Sequence, residues 1–226
     1  MKILNSFELF TFLKSQNLLH SSPSWWWHKV GTFEVIVGAI LTQNTRWENV
    51  EKSLQKLQEA QILIGENQQD LINFANIDSA LLESLIASSG FARQKSKRLI
   101  TLCQEILRNF GSFESFVESV DAEWLIAQKG IGRETRDSIL NYACQREVMV
   151  VDQYSYRLLL KCGYEIEEYE ALQSWYAEGV LENLDKIIRL YDFPISLAQI
   201  YARFHGKIVE FAKKNNGFKK DFELEF

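Results

Sequence analysis

At 226 residues, 46% of them hydrophobic and 24% charged, the chain is long enough to bury a sizeable core and reads as one large domain or two small interlocked ones. Two prolines and 11 glycines leave no low-complexity linker, and a net charge of −5 means that a nucleic-acid partner would need a local basic face rather than a basic average. Cys103, Cys144 and Cys162 are odd in number and widely spaced, which fits neither a zinc pattern nor a disulfide framework and suits a reducing cytoplasm.

In chain order, Met1 to Asn5 is followed too soon by Glu8 and Lys14 for a secretory signal. Ser6 is expected to cap a helix carrying Phe7, Phe10 and Leu13 at helical spacing. Residues 20–28 read as a loop, with Pro23 between serines and then Trp25-Trp26-Trp27-His28. Residues 32–41 form an apolar helix, hydrophobic on most sides and therefore central. Its run from Val35 to Leu41 is too short to span a bilayer. A helix over 46–59 puts Trp47, Val50, Leu54 and Leu57 on one face. Helices follow near 67–74, 79–88, 95–109 and 113–119. Residues 121–128 and 133–144 flank a glycine turn, and 153–162, 167–179, 181–191 and 195–213 complete the set. Val148 to Val151 is the one strand-like run. The pattern predicts an all-α fold of two lobes, residues 32–145 and residues 1–31 plus 146–226, with a cleft between them.

The turn reads Lys129-Gly130-Ile131-Gly132-Arg133-Glu134-Thr135-Arg136. Glycine permits the positive φ of a tight turn and a close approach of backbone to ligand. Ile131 is expected to tuck between the two helices while the amides that open the second helix face a phosphate. Lys129, Arg133 and Arg136 add positive charge and Thr135 a hydroxyl. A lone Gly-x-Gly is more often a plain αα-hairpin; the flanking cations favour DNA contact. Asp152, the sole acid between Glu147 and Glu165, reads from spacing alone as the N-cap of residues 153–162. Capping N–H groups would also keep it ionised. Lys95, Lys97 and Arg98 read as a solvated helix face. Lys207 shares a helical face with Ile200, Phe204 and Phe211; it either snorkels, the commoner outcome, or is buried with a lowered pKa. Trp25 is assigned to the core and His28 to solvent.

Several of these motifs, in this order, resemble the helix–hairpin–helix DNA glycosylase superfamily that includes endonuclease III. They are Ile40-Leu41-Thr42-Gln43-Asn44-Thr45, Gly90-Phe91 with Lys95, the hairpin through Asp152, and His205-Gly206, and they run from about residue 30 to about 210. The tryptophans at 25–27, the Gln43 motif and Glu134 are most similar to the 3-methyladenine branch known as MagIII. Trp47 and His28 depart from that branch, which tends to carry Phe and Pro there.

The resemblance implies that Asp152 stabilises the sugar cation formed as a base leaves. It implies that Gln43 fills the gap left by the flipped base, a role its residue pattern weighs equally with a helix-capping amide, and that Lys129, Gly130, Gly132, Arg133 and Thr135 hold DNA. Bifunctional members attack the sugar with a lysine where this chain has Glu134, and a carboxylate forms no imine. The implied activity is therefore monofunctional excision of alkylated purines, chiefly 3-methyladenine, from duplex DNA. Trp26, Trp27 and Trp47, with Glu134, Lys207 and Lys213, are the expected base pocket in the cleft between the lobes, with core packing an equal reading for Trp47; a cationic methylated purine on indole faces gains about 0.5–2 kcal/mol. The four-cysteine iron–sulfur cluster of the endonuclease III branch is not expected, because no cysteine follows Cys162. A weakly bound monovalent cation at the hairpin, a monomeric state, and a bacterial cytoplasmic location at the nucleoid complete the expectation. The rivals are a glycosylase/lyase for oxidised pyrimidines and a non-catalytic DNA-binding module.

Overall fold

A computed structural model of the chain describes residues 3–20 and 22–218. Among these, every regular element is helical and no strand occurs. The helices are α1 (Ser6–Ser15), α2 (Phe33–Leu41), α3 (Trp47–Glu59), α4 (Asn67–Asn76), α5 (Ser79–Leu85), α6 (Ala92–Phe110), α7 (Phe113–Ser119), α8 (Ala122–Ala127), α9 (Arg133–Ser138), α10 (Gln153–Lys161), α11 (Tyr169–Glu182), α12 (Leu184–Ile188) and α13 (Leu197–Lys214). A 3₁₀ turn covers Ala87–Ser89, and α9 widens into a π-helical turn over Ile139–Ala143. The chain forms two compact units, Met1–His28 with Gln145–Phe226, and Lys29–Cys144. Residues 1–2 and 219–226 of the expected second lobe lie outside the described residues.

Three local expectations change. The cap of α1 is Asn5, whose Oδ1 accepts from the Glu8 N–H, while Ser6 is the buried first residue of the helix. Val148 to Val151 is extended but pairs with no strand. Its β-like apolarity reflects burial of Met149, Val150 and Val151, which a short run cannot distinguish from sheet pairing. Trp25 is half-buried rather than part of the core.

In the Lys29–Cys144 unit, α2 is buried at every position except Glu34 and packs on α4, α6 and the π-helical turn. Phe33 sets its ring against Phe74 and Phe113 in edge-on contacts. Lys95 on α6 is 1% exposed, not on a solvated face. Its Nζ donates to Leu41 O, Thr45 Oγ1 and Ser89 O, each at 2.8 Å. Three acceptors match the three donors of an ammonium group. Burial, then the Arg98 charge, pulls Lys95 down to about 8, so it remains charged at neutral pH. The lysine thereby ties the end of α2 to the loop that follows it and to the turn before α6.

The other unit closes around α13. Phe204 lies edge-on to Phe10 of α1 and Tyr176 of α11. The Tyr176 hydroxyl donates to Ser155 O at 2.8 Å, which anchors the first turn of α10. Gly179 lets α1 approach α11; a Cβ there would overlap Ser6.

Candidate active site

Asp152 sits at the head of α10 in extended backbone. Its Oδ1 accepts from the Ser155 N–H at 2.8 Å and the Ser155 hydroxyl at 3.0 Å. The Asp152 N–H donates back to Ser155 Oγ at 3.2 Å, which completes a capping box. Its other oxygen, Oδ2, lies 3.4 Å from His205 Nε2 on α13. Burial alone would raise this carboxyl. The His205 side chain and the two Ser155 donors more than offset it and hold Asp152 below the usual carboxylate range. The carboxylate is thus ionised at neutral pH although its side chain is only 13% exposed.

His205 and Gly206 carry the tryptophan loop. The Trp26 indole stands edge-on to the His205 ring at 5.2 Å between centroids and edge-on to Trp27 at 5.9 Å. A Cβ on Gly206 would overlap the Trp26 ring, so glycine is what lets the indole lie on the α13 backbone. Arg203, one turn earlier, donates from Nη1 to Pro23 O and Ser24 O at 3.2 Å each and fixes the loop from its other side. Trp26 holds φ of 74°, a left-handed conformation that a bulky residue keeps only where its surroundings over-determine it. The sequence pattern missed His205, Ser155 and Arg203 as supports of this site, though the His-Gly pair was visible as a motif.

Lys207 is buried, at 2% exposure, the less common of the two outcomes its pattern allows. Burial, followed by the charges of Arg203 and Lys14, lowers it to about 7, with Glu210 acting in the opposite direction. Lys213 is exposed near the end of α13.

The Lys29–Cys144 unit holds the second cluster. Gly130 has φ of 85°, and a Cβ there would overlap the Arg98 guanidinium. Gly132 departs from the expected positive φ: it is extended, caps α9, and has nothing within 4 Å of a Cβ position. Its missing side chain keeps open the space in front of the α9 amides. Ile131 is tucked in at 6% exposure. Lys129 and Arg133 are exposed, as is Glu134 in the first turn of α9. Trp47 is half-buried at the start of α3.

Three residues expected to meet DNA turn inward. Gln43 Nε2 donates to Gly130 O and Thr135 Oγ1, both at 3.0 Å, and its Oε1 accepts from Arg98 Nη1 at 2.8 Å. Gln43 therefore braces the hairpin, and Thr135 is 7% exposed instead of presenting its hydroxyl. Arg136 donates from Nε and Nη2 to the two oxygens of buried Asp137 at 2.6 and 3.0 Å. The remaining exposed cations of the turn are Lys129 and Arg133.

The segment from 37 to 174 matches the model of the HhH-GPD superfamily of base excision DNA repair proteins. The chain belongs to that superfamily. It is 34% identical over 197 residues to a Methanocaldococcus jannaschii protein named for DNA repair glycosylase activity, covering 84% of this chain and 80% of that one. An endonuclease III of Thermotoga maritima is 25% identical over 182 residues, 80% of this chain and 73% of its own. Among solved structures, the H. pylori 3-methyladenine DNA glycosylase MagIII bound to 1,N6-ethenoadenine is 52% identical with a TM-score of 0.92, covering 93% of this chain and 98% of that one. An endonuclease III–DNA covalent intermediate, 16% identical, shares the HhH-GPD fold at a TM-score of 0.67 over 98% of this chain and 91% of its own.

Burial raises Cys162 to about 12 and Cys103 higher still, so neither offers a thiolate at neutral pH. No group of three or more His, Cys, Asp or Glu suited to a metal occurs among the described residues. No helix among them is long and apolar enough to cross a membrane.

Proposed function

We propose that this HhH-GPD protein is a monofunctional DNA glycosylase that hydrolyses the N-glycosidic bond of alkylated purines, chiefly 3-methyladenine, in duplex DNA. The observation that carries the reading is an ionised Asp152 joined through His205 to an edge-on pair of indoles. The close likeness to a glycosylase bound to an alkylated purine supports it.

The base leaves the helical stack before it is cut. Trp26 and Trp27 offer electron-rich surfaces to a purine made cationic by methylation, and this favours the alkylated base over its neutral parent. As the C1′–N bond breaks, its electron pair goes to the base, which leaves neutral. The sugar carries the positive charge, and Asp152 Oδ2 stabilises it. Water then adds to C1′ and gives up a proton, leaving an abasic sugar. The Asp152 carboxylate is suited to accept that proton. Alkylation already weakens the bond, so one carboxylate and a stacking surface suffice. Glu134, at the position of the imine-forming lysine, stops the reaction at base loss. Lys129, Arg133 and the amides behind Gly132 are the proposed backbone contacts.

An iron–sulfur cluster has no four-cysteine ligand set in this sequence. A weakly bound monovalent cation at the hairpin would share Gln128 O and Gly130 O with the hydrogen bonds they accept from the Ile131 N–H and Gln43 Nε2, each carbonyl keeping a second lone pair. No step runs through one. The proposed setting is a monomer acting on bacterial chromosomal DNA in the cytoplasm.

Incubation with duplex DNA carrying 3-methyladenine and 7-methylguanine tests this directly. Free base should appear while the strand stays intact, and borohydride should trap no covalent adduct. A trapped adduct, or strand cleavage without added base, would return the glycosylase/lyase alternative.

A further inference from the structure

Next to the hairpin, on the side of α6, lies an open groove of about 710 Å³. Its polar lining comes from Ser79 of α5, from Gln94, Lys97, Arg98 and Thr101 of α6, and from Gln128 and Lys129, the two residues that lead into Gly130. Three of these are cations, and no Asp or Glu lines the groove. Among the described residues neither Lys97 nor Lys129 enters an ion pair. One wall is fixed: Arg98 lies against Gly130 and donates to Gln43, so the groove and the hairpin turn move as one piece.

We infer that this groove is a second phosphodiester subsite, which takes the DNA backbone beyond the phosphate held at the hairpin. The groove is too large for a single inorganic anion and is continuous with the hairpin through Lys129. Its amide and hydroxyl groups suit the ester and sugar oxygens on either side of a phosphate, while Lys97 and Lys129 supply the charge. The inference rests on the DNA-repair reading, because it assigns the groove to the same duplex. It also gives a role to the α6 cations outside the hairpin itself.

Lys97 is the residue to change, since it is exposed and enters no ion pair among the described residues, whereas Arg98 supports the hairpin. Binding of an undamaged duplex would be followed by fluorescence anisotropy across a salt series for wild type, Lys97→Gln, Lys97→Arg and Lys56→Gln. Lys56 lies on α3, outside the groove. Each phosphate neutralised adds roughly 0.9 to the slope of log K against log salt. Lys97→Gln should therefore bind more weakly, with a slope shallower by roughly 0.9 and an unchanged melting temperature. Lys97→Arg and Lys56→Gln should keep the wild-type slope. An unchanged slope in Lys97→Gln, or an equal loss in Lys56→Gln, overturns the subsite while leaving the glycosylase reading in place. Wild-type protein that binds no duplex overturns both. Wild-type protein that binds with the expected slope but releases no base removes the glycosylase reading alone.

Discussion

His205 Nε2 lies 3.4 Å from Asp152 Oδ2, on the carboxylate oxygen that the α10 capping box leaves over. One oxygen of Asp152 is fixed by its own helix and the other faces a side chain 53 positions later in the chain. The ring that meets it is also the ring that seats Trp26. The carboxylate and the Trp26 indole thus share one support.

Replacing His205 with Phe keeps the ring against Trp26 and removes the nitrogen. Burial of Asp152 is then opposed only by Ser155, so its carboxyl titrates higher than in wild type. Because Asp152 is held low in the folded protein, the stability it lends is present above the ordinary carboxylate range and is lost as pH falls through the depressed value. In His205→Phe that contribution should be smaller and its loss complete at higher pH. The acid limb of single-turnover base release should move toward neutrality in step. Superimposable pH profiles for the two proteins would remove His205 as a positioning residue.

Gly206→Ala should act through Trp26. An added methyl group overlaps the indole, and overpacking of this kind costs about 1–3 kcal/mol. Excision should fall toward the level of Trp26→Ala, with a shift in tryptophan emission. Wild-type excision in Gly206→Ala would mean that Trp26 does not need its present seat.

The two hairpin glycines should separate stability from binding. Gly130→Ala meets both a positive φ and the Arg98 side chain, so it should destabilise the protein by more than about 1 kcal/mol and weaken DNA binding as well. Gly132→Ala meets open space in extended backbone, so melting should barely change. It does place a methyl group where a phosphate would approach, so duplex binding should still drop several-fold. Equal behaviour of the two variants in both assays would contradict this division.

The helices, the hairpin and the cap at Asp152 were legible because each is a local pattern: apolar spacing, a Gly-Ile-Gly turn, an acid ahead of a helix. What escaped were polar partners far apart in sequence. Lys95 looked like a surface lysine because nothing in its own helix shows that Leu41, Thr45 and Ser89 bring three oxygens to it. Gln43 and Thr135 looked available to DNA for the same reason, 92 residues apart yet hydrogen-bonded. Lys207 sat on an apolar face, and the pattern favoured the commoner outcome for a long side chain, yet α13 is enclosed along that face.

Lys207→Met should expose the cost of that burial. The folded lysine sits at about 7, below its value in an unfolded chain. Its destabilising charge is fully present below about pH 7 and is relieved as pH rises, because the folded state then releases a proton that the unfolded state keeps. Lys207→Met should therefore exceed wild type in stability most clearly at pH 6, with the difference narrowing by pH 9. Equal stability across that range, with unchanged excision, would take Lys207 out of the site.

The most direct measurement is base release from alkylated duplex DNA by Asp152→Asn beside wild type. Asparagine keeps the size of the side chain and the cap to Ser155 while removing the charge. Release of 3-methyladenine should fall by about 100-fold or more, the scale of a lost acid–base or electrostatic group, with duplex affinity nearly unchanged. Excision at the wild-type rate by Asp152→Asn would contradict the assignment of the sugar cation to this carboxylate.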